Sequence, residues 1–70
     1  MKAADLLGRL NRLATKRGWD IVETQGGGSH LKLRLNGRTT VIAMHPGDMP
    51  PGTLHKVLKD LGLTTGDLEV

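Results

Sequence analysis

Residues 26–37 read GGGSHLKLRLNG, and this stretch decides the fold of the chain. After the glycines, leucines alternate with basic residues, which is the two-residue period of a strand with one buried face. The leucines therefore face a core: Leu31, Leu33 and Leu35. The polar residues share the opposite face, which is exposed to solvent: His30, Lys32 and Arg34.

The dipeptide Asn36-Gly37 follows this strand and precedes another strand-like run, residues 39–44. Asn-Gly in this position is the strongest short signal for a hairpin with a two-residue type I′ turn. Such a turn fixes the register of the hairpin. The predicted cross-strand pairs are Leu35 with Arg38, Leu33 with Thr40, Leu31 with Ile42, Arg34 with Thr39, Lys32 with Val41, and His30 with Ala43. The last pair places the histidine beside a small side chain that covers little of it.

Two helices are predicted on either side of the strands. Leucines at helical spacing predict a helix over residues 3–17, with Gly18 as its C-terminal cap. A second apolar stripe predicts a helix over residues 51–61 that ends at Gly62. A first strand is predicted over residues 19–24. Trp19 at its start can be read as a base-stacking residue, but its place after the helix cap favours packing in the core.

The order helix, three antiparallel strands, helix predicts a two-layer α+β domain. Both helices must bury their apolar stripes against the leucine face of the three-stranded sheet, which leaves the other face open. This α-β-β-β-α layout is that of a double-stranded-RNA-binding domain. Residues 1–63 are predicted to form the single domain and residues 64–70 a short acidic C-terminal tail, in which Thr64 and Asp67 have capping-box spacing.

Composition restricts the class of protein. The 70 residues include no cysteine, no apolar run near the ~20 residues that span a bilayer, and no signal peptide, so we expect a soluble cytoplasmic protein. All ten Lys and Arg lie in residues 1–59, which contain only four acids. Such a basic body suits a polyanion such as RNA, although a solubilising surface explains it equally well.

The residue types around His30 predict phosphate chemistry. RNA is cut without a metal when its 2′-hydroxyl attacks the adjacent phosphate, and histidine, with an ordinary pKa of about 6.5, can move the proton. Cations near the phosphate oxygens stabilise the charge that develops. His30 is therefore a candidate general acid or base, although a lone histidine on a strand is more often only an exposed polar residue. The predicted phosphate-binding residues around it are Lys32, Arg34, Arg38, Gly28 and Ser29.

The other histidines are weaker candidates. His45 is a possible second site residue, although shaping the loop before Pro46 is the favoured interpretation. His55 lies off the apolar stripe of the second helix and is expected to be solvated. The three histidines lie on a strand, a loop and a helix without ligand spacing, so we expect no metal and no other cofactor.

Several short motifs occur in a fixed order between Leu6 and Leu63. They are Gly18-Trp19, Gly28-Ser29-His30, His45-Pro46, Pro51-Gly52-Thr53-Leu54, Leu58-Lys59 and Leu61-Gly62-Leu63. Together they resemble HicA-type toxins, the small ribonucleases of bacterial toxin–antitoxin pairs. The resemblance implies a double-stranded-RNA-binding-like fold, cleavage of messenger RNA, and inhibition by a HicB-type antitoxin. The functional histidine of that family falls on His30, so the resemblance implies that His30 is the general acid or base.

Two other functions are compatible with the residues. The first is a non-catalytic RNA-binding module, although such modules carry a dense lysine cluster at the start of the second helix, where this chain has one lysine, Lys56. The second is an interaction domain that uses the exposed face only to bind a protein.

Overall fold

The computed structural model describes residues 1–26 and 28–69, so Gly27 of the glycine loop and Val70 of the predicted tail lie outside the described residues. The elements follow the predicted order. They are α1 (Ala3–Arg17), β1 (Ile21–Gln25), β2 (His30–Leu35), β3 (Arg38–Ala43), α2 (Pro51–Leu61) and a C-terminal 3₁₀ helix (Thr65–Leu68).

Both predicted helices are confirmed at their predicted bounds. Gly18 and Gly62 cap them in the left-handed region, with φ of 67° and 70°. The first strand begins later than predicted because the backbone N–H of Trp19 donates to the carbonyl of Ala14, 2.9 Å away, and so belongs to the helix cap. Neither helix, nor any other within residues 1–26 and 28–69, has the length and apolar character needed to cross a membrane.

The sheet is antiparallel in the order β1-β2-β3, so β2 is its central strand. All six predicted pairs between β2 and β3 are confirmed. Asn36 and Gly37 have φ of 51° and 83°, the two positive values that a type I′ turn requires. The local turn therefore sets which side chains of the hairpin share a face.

The core lies between the sheet and the helices. It joins the leucine stripe of α1 and the apolar stripe of α2 to Leu33 and Leu35 of β2 and to Ile42. Leu33 is fully buried, and Trp19 packs against this core as predicted. The predicted two-layer α+β fold with a double-stranded-RNA-binding-like layout is confirmed, and one sheet face is left uncovered.

Residues after α2 pack on α1. Leu68 is 2% exposed and belongs to the core. The guanidinium of Arg17 lies 2.9 Å from the Asp67 carboxylate, and that of Arg9 donates to the carbonyl of Leu68. The predicted capping box between Thr64 and Asp67 is present. The segment that was expected to be a tail therefore forms a short helix that packs against α1.

Candidate functional site

The uncovered surface, here called the open sheet face, is organised in three rows across the strands. The first row is Gly26, His30 and Ala43; the second is Thr24, Lys32 and Val41; the third is Val22, Arg34 and Thr39. Because β2 is central, its three polar residues form a line along the middle of this face. Successive rows are about 6.6 Å apart, given the rise of a strand.

His30 is exposed and has the smallest neighbours on this face. Ala43 pairs with it from β3, and Gly26 meets it from the β1 side through an N–H···O bond of 3.0 Å to the His30 carbonyl. A Cβ atom at Gly26 would lie only 3.1 Å from that carbonyl oxygen. The glycine therefore permits a close backbone approach and leaves the imidazole accessible to a large ligand.

The residues before His30 hold the start of β2 in place. Gly28 has a left-handed backbone, with φ of 64°, and its carbonyl accepts a hydrogen bond from the Gln25 side chain at 3.3 Å. The carbonyl of Ser29 accepts from the backbone N–H of Met44 at 2.7 Å. The predicted site residues Gly28 and Ser29 thus lie next to the imidazole and fix its strand to β3.

Lys32 and Arg34 continue the line from His30. Both are exposed, and neither takes part in an ion pair within the described residues. Two cations without acidic partners, one and two rows from an imidazole, are available to an anionic ligand. The structure therefore brings together His30, Lys32 and Arg34 as predicted.

Arg38 does not lie on the open sheet face. It pairs with Leu35, whose side chain is buried, so it points toward the helix layer. A Cβ atom at Gly62 would lie 2.9 Å from the Arg38 guanidinium carbon. Its charge therefore lies at the C-terminal end of α2, where a cation complements the helix dipole. The structure separates this predicted phosphate ligand from His30.

A groove of about 360 Å³ runs along the second and third rows. It is lined by Val22, Thr24, Lys32, Arg34 and Thr39. The sequence analysis did not include the three uncharged residues in the site. Thr39 could have been assigned to the site from the sequence, because it was predicted to pair with Arg34. Val22 and Thr24 on β1 could not, because their placement depends on the register between β1 and β2.

The remaining histidines lie apart from this line. His45 is exposed two residues beyond Ala43 and borders a cavity of about 260 Å³ with the loop that leads to α2. It is therefore at the same end of the sheet as His30. His55 is exposed on α2. In the described part of the chain, no three His, Cys, Asp or Glu side chains are grouped so that they could hold a metal ion.

Two comparisons with known proteins agree. The family model for the HicA toxin of bacterial toxin–antitoxin systems matches residues 9–63, which include the whole open sheet face. The protein named "Probable mRNA interferase HicA" from Escherichia coli O157:H7 is 46% identical over 44 residues, which cover 61% of this chain and 76% of that protein. "Probable mRNA interferase toxin HicA" from Escherichia coli strain K12 gives the same values. No solved structure gave a significant match.

Proposed function

The chain belongs to the HicA toxin family of bacterial toxin–antitoxin systems, and from this premise we propose that it is a metal-independent endoribonuclease that cleaves messenger RNA. His30 is the general acid or base of the reaction. Lys32 and Arg34 bind the RNA phosphates, and Gly28 and Ser29 hold the strand on which His30 lies.

One observation carries this proposal: the line of His30, Lys32 and Arg34 along the centre of the open sheet face. Across the strands the imidazole is flanked by Gly26 and Ala43, which are small, so an RNA backbone can reach it. The two cations next in line have no acidic partners among the described residues. A proton-transfer group and cations near one phosphate are what cleavage by an internal hydroxyl requires.

The proposed cleavage of RNA needs no co-reactant. The 2′-oxygen of a ribose attacks the adjacent phosphorus while its proton passes to a base, and the bond from phosphorus to the 5′-oxygen breaks. The leaving 5′-oxygen takes a proton from an acid. His30 performs one of these two transfers, and His45, at the same end of the sheet, is the candidate for the other. Lys32, one row from His30, stabilises the negative charge that builds on the phosphate oxygens, whereas Arg34, about 13 Å from His30 along the strand, binds the RNA further along its backbone.

The natural inhibitor in this proposal is a HicB-type antitoxin protein. Members of this family are toxins of bacterial toxin–antitoxin systems. In addition, the open sheet face has properties of a protein-binding surface. Val22 and Val41 are 42% and 51% exposed on it, on either side of the basic line. A protein that buries these valines would also cover His30, so inhibition and substrate binding would compete for one face.

Product analysis tests the proposed function. The purified protein is incubated with a defined messenger RNA in the presence of EDTA, and the ends of the fragments are identified. We expect cleavage into fragments with 2′,3′-cyclic phosphate and 5′-hydroxyl ends. RNA that is retarded in a gel but remains intact would identify a non-catalytic RNA-binding module instead.

A further inference from the structure

The groove beside His30 has the volume of a small-ligand site. Its volume of about 360 Å³ lies within the roughly 300–1,000 Å³ of such sites. It begins one row from the imidazole and extends over the Arg34 row. A ligand in it would therefore be continuous with a phosphate at His30.

The lining suits one nucleotide of a single-stranded RNA. Lys32 and Arg34 supply positive charge for a phosphate, and Val22 supplies an apolar surface for a base or ribose. Thr24 lies opposite Lys32 on β1, whereas Thr39 lies opposite Arg34 on β3. Hydroxyls thus stand on both sides of the groove, and each can donate or accept a hydrogen bond at a base edge.

The groove has no aromatic platform on which a base could stack. The sequence contains no Phe and no Tyr, and Trp19 packs against the core on the other side of the sheet. Single-stranded RNA is otherwise recognised through the base edges and by stacking on the planar guanidinium of arginine. Arg34 is the residue of the groove that has this plane, and it lies between Val22 and Thr39 in the third row.

We propose that this groove binds the nucleotide next to the cleaved phosphodiester and that Thr24 and Thr39 determine which base is accepted there. The inference rests on the proposed function, because it takes His30 as the position of the cleaved bond. The row spacing of about 6.6 Å is similar to the separation of successive phosphates in an extended strand, so the following phosphate lies near Lys32. The attached base then stacks on the planar face of the Arg34 guanidinium, whose N–H groups at the edge still donate to a phosphate, and it lies between the two threonine hydroxyls.

The test replaces each hydroxyl by a methyl group of similar shape. Thr24→Val and Thr39→Val remove the hydrogen bonds and keep a β-branched side chain on an exposed strand position, so the fold is retained. Thr15→Val on the exposed side of α1 is the matched control. The substrates are short single-stranded RNAs that differ only in the base next to the cleavage site.

We expect wild type and the control to cleave one of these RNAs preferentially. The double variant should lose most of this preference, with a several-fold drop in kcat/KM for the preferred RNA and little change for the others. A wild type without base preference, or a double variant that keeps the wild-type preference, would overturn the inference.

A binding measurement separates this inference from the proposed function. Fluorescence anisotropy with the same RNAs is recorded on His30→Ala, with and without the two threonine substitutions. Base-dependent affinity that disappears in the threonine variant supports the groove even if wild type proves unable to cleave RNA. Equal affinity for all bases, or base dependence unaffected by the substitutions, would exclude it.

Discussion

His30 lies directly opposite Ala43 in the ladder between β2 and β3, and this pairing keeps the imidazole accessible at the start of the central strand. Directly opposed residues have Cβ atoms about 4.5–5.5 Å apart, so the size of residue 43 controls how much of residue 30 is covered. The sheet itself therefore sets the access of substrate to the proposed catalytic group.

This relationship gives the first prediction. Ala43→Leu should extend an apolar side chain over His30 and lower the rate of RNA cleavage several-fold, with little change in melting temperature. Ala4→Leu, an equal change at an exposed position of α1, should leave the rate unchanged. An Ala43→Leu protein that cleaves at the wild-type rate would show that access to His30 does not limit the reaction.

The second prediction separates the two arginines of the hairpin. Arg34→Ala should reduce kcat/KM roughly tenfold to hundredfold, the equivalent of about 1.5–3 kcal/mol for a hydrogen bond to a charged group. Arg38→Ala removes the same charge from the end of α2, so it should keep activity and lower stability by about 0.3–1 kcal/mol. Equal losses of activity in steady-state kinetics would mean that only net charge matters.

The third prediction concerns the segment after α2. Leu68 is buried against α1, so Leu68→Ala should lower the free energy of unfolding by about 2–5 kcal/mol in urea denaturation. Glu69→Ala, at the exposed neighbouring position, should change it by less than about 0.5 kcal/mol. A Leu68→Ala protein as stable as wild type would make this segment a tail after all.

The fourth prediction is a loss of stability in acid. The Lys56 ammonium, followed by the Thr40 hydroxyl, lowers the pKa of Asp60. The backbone N–H of Thr64, followed by the Arg17 guanidinium, lowers the pKa of Asp67. In the unfolded chain both carboxyls titrate near 3.9, so the unfolded state binds more protons just below that pH.

The stabilisation from these carboxylates is therefore present above about pH 4 and is lost as the pH falls through their lowered native pKa values. The melting temperature of wild type should fall in this range. In the double variant Asp60→Asn, Asp67→Asn, it should start lower and drop less. Parallel curves for the two proteins would contradict the assignment.

Local signals made the hairpin predictable. The leucine alternation identified the buried face of β2, and the Asn-Gly turn then fixed every pair with β3, because a two-residue turn allows one register. Because residues that pair directly across a hairpin lie on the same face of the sheet, Arg38 must share the face of Leu35. The sequence analysis nevertheless grouped Arg38 with the phosphate-binding residues around His30, because a residue at a turn can bend its long side chain to either face.

The β1 side of the groove was not predictable in the same way. The loop between β1 and β2 contains three consecutive glycines, so its length does not fix which residues pair. The register depends on how this loop closes, which in the structure places the Gly26 N–H 3.0 Å from the His30 carbonyl that accepts from it. Leu68 was missed because a single 3₁₀ turn is too short to show a period. Its burial follows from contacts with α1.

The most direct test of the central claim compares wild type, His30→Ala and His55→Ala in RNA cleavage with EDTA, together with their melting temperatures. Both histidines are exposed, so both variants should melt close to wild type. We predict that His30→Ala loses cleavage while His55→Ala retains it. A folded His30→Ala protein that still cleaves RNA at the wild-type rate would contradict the role assigned to His30.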